Sequence, residues 1–175
     1  CRADGQLRIW YGDRTGFFPS TPAGSIDLGG GPGGAVQAHV LDGDGDGIRD
    51  LACVEIVNSR LYFVRGLGGR NFAAPQEIPL GSFADARLSA IDVGDLDGDG
   101  DTDIVASDFT GARMLSFLNS GGAVFTPGGA IPVASGPLTA TLADRDGDGD
   151  LDLLAGHFTS TSIVIWDNQG DGTFA

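Results

Sequence analysis

Three segments of the chain space their carboxylates in a way that suits chemistry: DGDGDGIRD at 42–50, DLDGDGDTD at 95–103 and DRDGDGDLD at 144–152. Aligned on the glycine at position six, all three read D-x-D-x-D-G-x-x-D. Four acids within nine residues repel one another strongly unless a cation sits among them. Side chains at positions one, three and five converge on one point only if the chain wraps around it. The glycine at position six (Gly47, Gly100, Gly149) permits the left-handed backbone that such wrapping needs. After that turn the carbonyl of position seven can face inward, and the aspartate at position nine closes the sphere. The expected ligands are Asp42, Asp44, Asp46 and Asp50 with the carbonyl of Ile48; Asp95, Asp97, Asp99 and Asp103 with that of Asp101; and Asp144, Asp146, Asp148 and Asp152 with that of Asp150.

A shell made only of oxygen suits a hard, large ion. Calcium fits better than magnesium, which keeps its waters, and better than zinc, which favours His and Cys. The sequence therefore predicts three Ca2+ sites. Position twelve is Cys53, Ala106 and Ala155 rather than an acid, which excludes an EF-hand loop between helices. Acids that served only solubility would be scattered, not set three times in one register.

The loops recur 53 and 49 residues apart, and a second signature recurs between them: an aromatic, a Gly/Asn-rich turn, then Phe, as in FLNSGGAVF and WDNQGDGTF. Each unit reads as four short strands. One enters the acidic loop (AVQAHVL, LSAIDV, LTATLA) and one leaves it (DLACVEIV, DIVASDF, DLLAGHF). A third carries the aromatic (RLYFV, RMLSFL, SIVIW), and a fourth follows the glycine turn (FAAPQEIPL, FTPGGAIPV). No stretch keeps a helical period. Four-stranded units repeating every ~50 residues predict an all-β chain of β-propeller blades; a plain sandwich would not need a fixed period.

Composition narrows the partners. The net charge is −14, with 24 acidic against 10 basic residues and no lysine, which argues against nucleic acid and anionic membranes and favours cations. No run approaches the ~18 apolar residues of a membrane span. The 30 glycines imply many tight turns. Two cysteines, Cys1 and Cys53, make neither a disulfide framework nor a zinc site. Cys53 reads as a small strand residue, and Cys1 as a candidate lipid-attachment residue.

With the loops and turns quoted, VGDLDGDGDTDIVAS and IVIWDNQGDGTF above all, the sequence resembles the FG-GAP/VCBS repeat family, the blades of integrin alpha-subunit propellers and of many secreted bacterial proteins. The resemblance covers essentially the whole chain. It implies that the acidic loop joins the first two strands of a blade and holds Ca2+, and that the chain serves adhesion, recognition or scaffolding outside the cell. The units expected are a partial blade at 1–33, blades at 34–82 and 83–134, and a partial blade at 135–175. These make about 3.5 repeats, part of a larger propeller or assembly that contacts further blades or other subunits. No catalytic residues are expected: His39 and His157 share no motif with a nucleophile, and GGGPGG at 29–34 precedes no helix. Two alternatives stand beside the structural or protein-binding reading. One is a lectin that uses Trp10, Tyr11, Tyr62, Phe109 or Phe158 as stacking faces; the other is an accessory domain of a secreted enzyme. Glu55, Asp108 and His157, after the second strands, are the expected places of partner contact.

Overall fold

A strand with one wet face alternates apolar with polar residues, whereas a strand buried on both faces reads as a continuous apolar run. The inner residues of DLACVE and DIVASD, LACV and IVA, are of the second kind, and every residue in both strands is buried, the flanking acids and Ser107 included. A computed structural model of the chain describes residues 6–12, 17–28, 36–133, 136–158 and 161–175. Cys1 and the GGGPGG segment lie outside them.

The described residues are all-β, with antiparallel sheets throughout. A hairpin pairs β1 (Gln6–Ile9) with β2 (Gly24–Asp27). The next sheet runs β3 (Val36–Leu41), β4 (Asp50–Glu55), β5 (Arg60–Val64) and, last, β8 (Gln76–Ile78). Between its last two strands a small hairpin joins β6 (Gly66–Gly68) to β7 (Asn71–Phe72). A one-turn 3-10 helix at Gly81–Phe83 leads to a second four-stranded sheet. That sheet comprises β9 (Leu88–Gly94), β10 (Asp103–Asp108), β11 (Arg113–Asn119) and β12 (Phe125–Pro132), side by side in chain order. The last sheet has three strands, β13 (Thr141–Ala143), β14 (Asp152–Gly156) and β15 (Ile163–Trp166).

The fourth segments of the two units differ, and proline explains the difference. FAAPQEIPL breaks into β7 and β8 because Pro75 has no amide for a ladder. In β12, Pro127 is accommodated by a register shift between Ser116 and Phe117 on its partner strand.

Alternate residues of each central strand go to different cores. Leu51 and Cys53 pack towards the β1–β2 hairpin, whereas Ala52 and Val54 pack towards the second sheet. Ile104 and Ala106 share that second core, while Val105 and Met114 turn to the third sheet and meet Leu153 and Ala155. The sheets therefore stack face to face in sequence order, with one apolar layer per seam. Polar pegs join the first strands across these seams. The Ile91 amide donates to Gln37 Oε1 at 3.0 Å, and the Leu142 amide to Asp92 Oδ2 at 2.8 Å. Among the described residues no strand pairing joins the β1–β2 hairpin to the β13–β15 sheet, and no helix is long and apolar enough to cross a membrane.

Candidate metal centres

Each acidic loop connects a first strand to a second: β3 to β4, β9 to β10, and β13 to β14. Its shape is written by short-range hydrogen bonds. In the second loop the Asp95 carboxylate accepts the amides of Gly98 (2.8 Å) and Gly100 (3.0 Å), curling the chain back on position one. Asp97 accepts the Asp99 amide at 3.3 Å, and Asp99 accepts the Asp101 amide at 2.8 Å, so each acid also braces the backbone two residues on. Each of the other loops repeats one of the position-one bonds: Asp42 accepts the Gly47 amide and Asp144 accepts the Gly147 amide. Position six is left-handed as expected, at φ 79°, 91° and 102° for Gly47, Gly100 and Gly149. Position four is left-handed too, at Gly45, Gly98 and Gly147, a requirement the sequence reading did not identify.

Carboxylate oxygens of positions one, three and five gather within 4.8 Å of one another in two loops, as Asp95, Asp97 and Asp99 and as Asp144, Asp146 and Asp148. In the first loop the gathered set is Asp42, Asp44 and Asp50, without Asp46. The side chains of Asp101 and Asp150 lie against Gly121 and Gly170, where a Cβ would crowd their carboxylates. Asp42 Oδ1 is buried and has no hydrogen-bond partner. A buried carboxylate oxygen without a donor is costly, and a cation among the gathered oxygens would satisfy it. The donor set is all oxygen and fits calcium.

Of the position-nine aspartates only Asp50 joins a gathered set, and all three brace the backbone. Asp50, Asp103 and Asp152 are buried to 0%, 0% and 1% exposure, and each accepts two amides from opposite directions. Asp103 takes Leu96 of its own loop at 2.7 Å and Asn119 at the end of β11 at 2.7 Å. Asp50 takes Gly43 and Gly66, and Asp152 takes Arg145 and Asn168. Burial pushes the Asp103 carboxyl up to about 6 against the pull of its two amides.

Asn119 and Asn168 extend this brace across the seam. The Asn119 amide group donates to the Gly43 carbonyl in the preceding loop (2.8 Å) and to Thr102 (3.2 Å). Asn168 does the same to Leu96 (2.9 Å) and Leu151 (3.2 Å). The first unit has Gly66 at this place, where a Cβ would strike the Arg49 carbonyl. Sequence reasoning missed both asparagines. Their signal was the repeated aromatic–x–Asn in FLN and WDN.

Charge differs from loop to loop. Arg65, at the end of β5, contacts Asp44 through Nε and Asp46 through Nη2 at 2.9 Å. The Ile48 amide first, and then Arg65, hold Asp46 below the usual carboxylate range. In the third loop Arg145 turns towards Asp167, at 2.7 Å.

A profile of the FG-GAP-like repeat matches residues 42–106 and again 95–155, spanning all three acidic loops. The chain belongs to the FG-GAP-like repeat family. The overlapping matches begin at position one of successive loops, so the FG-GAP-like period is the loop-to-loop period. No curated protein matches the chain. A solved structure is similar to it, described as the structural basis of specific recognition of non-reducing terminal N-acetylglucosamine by an Agrocybe aegerita lectin. The similarity covers 100% of this chain and 52% of that one, with a TM-score of 0.62 and 20% identity. At that identity it shows the fold alone, and this FG-GAP-like chain spans about half the length of its solved relative.

The remaining candidates fall into place around this framework. Glu55, Asp108 and His157 are buried, not presented to a partner. Glu55 accepts the amides of Val57 and Asn58, and Asp108 accepts Arg87 and Gly111 and pairs with Arg113 at 2.8 Å, so both brace hairpin turns. Both ring nitrogens of His157 are buried without partners. His39 sits between Gln37 and Asp92, at 3.1 Å from each. Tyr62 is buried and offers no stacking face, Phe109 and Phe158 meet edge to face, and Trp10 remains exposed. Cys53 is fully buried, and burial pushes its thiol up to about 12.

Proposed function

We propose that this chain is a calcium-binding, extracellular segment of β-propeller blades. Its role is structural or protein-binding, and it performs no catalysis of its own. The repeat units fall at 1–33, 34–82, 83–134 and 135–175, and further blades or other subunits are the partners this reading assigns. The observation that carries the reading is the gathering of carboxylate oxygens within 4.8 Å in all three loops, with Asp42 Oδ1 buried and unpartnered in the first. Calcium would be held by the aspartates at positions one, three, five and nine and the carbonyls of Ile48, Asp101 and Asp150. It would tie the first strand of each blade to the second. Such loops fill where calcium is near millimolar, outside cells.

Thermal melts in EDTA and in 1 mM CaCl2 test the reading. A site filled to 100 times its dissociation constant adds about 2.7 kcal/mol, so calcium should raise the melting temperature by several degrees. Equal melting temperatures would refute it.

A carbohydrate-binding role is the second reading, favoured by a repeated cleft. One cleft of about 320 Å3 lies between β11–β12 and the turn of Asp171 and Thr173. Another, of about 240 Å3, lies between β5–β8 and the turn of Val124 and Phe125. The relative named above is a lectin. Titration with N-acetylglucosamine, comparing wild type with Asp171→Ala, tests this: no saturable binding removes the reading.

A further inference from the structure

The three loops differ in what stands opposite their carboxylates. Fifteen residues after the closing aspartate, the first unit has Arg65, the second Leu118 and the third Asp167. Arg65 Nε contacts Asp44 Oδ2, and its Nη2 lies 2.9 Å from Asp46 Oδ2. The guanidinium thus spans positions three and five of its own loop. The oxygen clusters differ alongside this: Asp46 is missing from the first gathering, whereas its counterparts Asp99 and Asp148 are present in theirs. In the third loop Asp167 draws Arg145 outward at 2.7 Å, leaving it 4.0 Å from Asp146 and from Asp152. Among the described residues no cation pairs with Asp95, Asp97 or Asp99.

We propose that Arg65 is a tethered counter-ion of the first loop, bound across Asp44 and Asp46 in the metal-free chain and displaced when a divalent cation takes those oxygens. The proposal rests on the calcium reading above. A guanidinium fork matches two carboxylates in a way a point charge does not. A divalent ion entering beside it meets like-charge repulsion until the side chain swings out. Arg65 is half exposed on a flexible stem, so it has somewhere to go. The first loop is therefore the weakest of the three sites and fills last, while holding its shape without metal better than the others.

The test is calcium and terbium titration of the full chain, followed by calorimetry and terbium luminescence. A background carrying Asp97→Asn and Asp146→Asn leaves the first loop as the only intact site. In it, Arg65→Gln should tighten binding about tenfold, the effect of losing two partly exposed charge pairs together with a like charge. In the converse background, with Asp44→Asn and Asp146→Asn, Leu118→Arg should weaken the second loop by a similar factor. Unchanged or weaker first-loop binding in Arg65→Gln overturns the counter-ion while calcium binding at the other loops still stands. No uptake at any loop, in wild type or variants, overturns both.

Discussion

Asn119 offers the sharpest test of how the loops are joined. Its side chain is 1% exposed. It donates to Gly43 O at 2.8 Å and Thr102 O at 3.2 Å, and accepts from the Gly121 amide at 3.2 Å. Asn119→Ala removes all three bonds. Gly43 O keeps the Ala123 amide at 2.9 Å, so the orphans are Thr102 O and the Gly121 amide. At about 1 kcal/mol net per bond, with more for groups left buried and unpaired, the loss should be about 2–4 kcal/mol. Asn119→Asp has the same shape and keeps the acceptor for Gly121, but it turns an oxygen towards two carbonyl oxygens. At pH 7 it should be at least as damaging as alanine, about 3–5 kcal/mol. Urea unfolding in metal-free buffer, read as the midpoint at constant m-value, measures both. If the side chain mattered only by its volume, the isosteric aspartate would be nearly neutral. An Asn119→Asp variant as stable as wild type refutes the donation argument.

Other outcomes follow from the same geometry. Gly66→Asn should not install the missing latch: its Cβ would meet the Arg49 carbonyl, and a loss of about 1–3 kcal/mol in urea unfolding is expected from the forced backbone shift. Asp103 sets a pH dependence. Its carboxyl, near 6 when folded against an ordinary 3.8, binds more protons folded than unfolded between those values. Its contribution is thus complete below about pH 4 and lost as pH rises through 6. Metal-free melting temperatures should fall from pH 4.5 to pH 7, and Asp103→Asn should flatten that fall. Asp46 and Asp92, both held low, act oppositely and only below the ordinary carboxylate value. Cys53, buried with its thiol near 12, should resist a disulfide reagent in native protein and react at the rate of unfolding.

Much of this architecture was legible before any coordinates. Strands such as DIVASD announced themselves through a short apolar run, here Ile104 to Ala106, because a sheet packed on both faces has no wet face to impose alternation. The loop register was legible because three aspartates and a glycine recur at fixed spacing. The fourth segment misled, since FAAPQEIPL looks like one strand until Pro75 is asked for an amide it lacks. The latch was harder to see. Asn119 acts on a residue 76 positions earlier, and no local pattern states a distance of that length. Its repeat was also masked by Gly66, where the Arg49 carbonyl leaves no room for a side chain. Arg65 was invisible for a similar reason: its 19-residue reach to Asp46 depends on β5 ending beside the loop. Glu55 and Asp108 misled in the other direction, because an acid after a strand reads as exposed when it is in fact folded inward over its own turn.

The latches point one way along the chain. The Gly43 carbonyl meets Asn119 only when 76 further residues exist, and the Leu96 carbonyl meets Asn168 only after 72. At ~5–20 residues per second, a newly made loop stands unsealed for roughly 4–15 seconds before the next sheet arrives. Assembly on the ribosome is therefore a succession of closures, each later sheet locking the hinge of the one before. A stall in translation just before Asn119 would leave the first loop open to proteases for as long as the pause lasts.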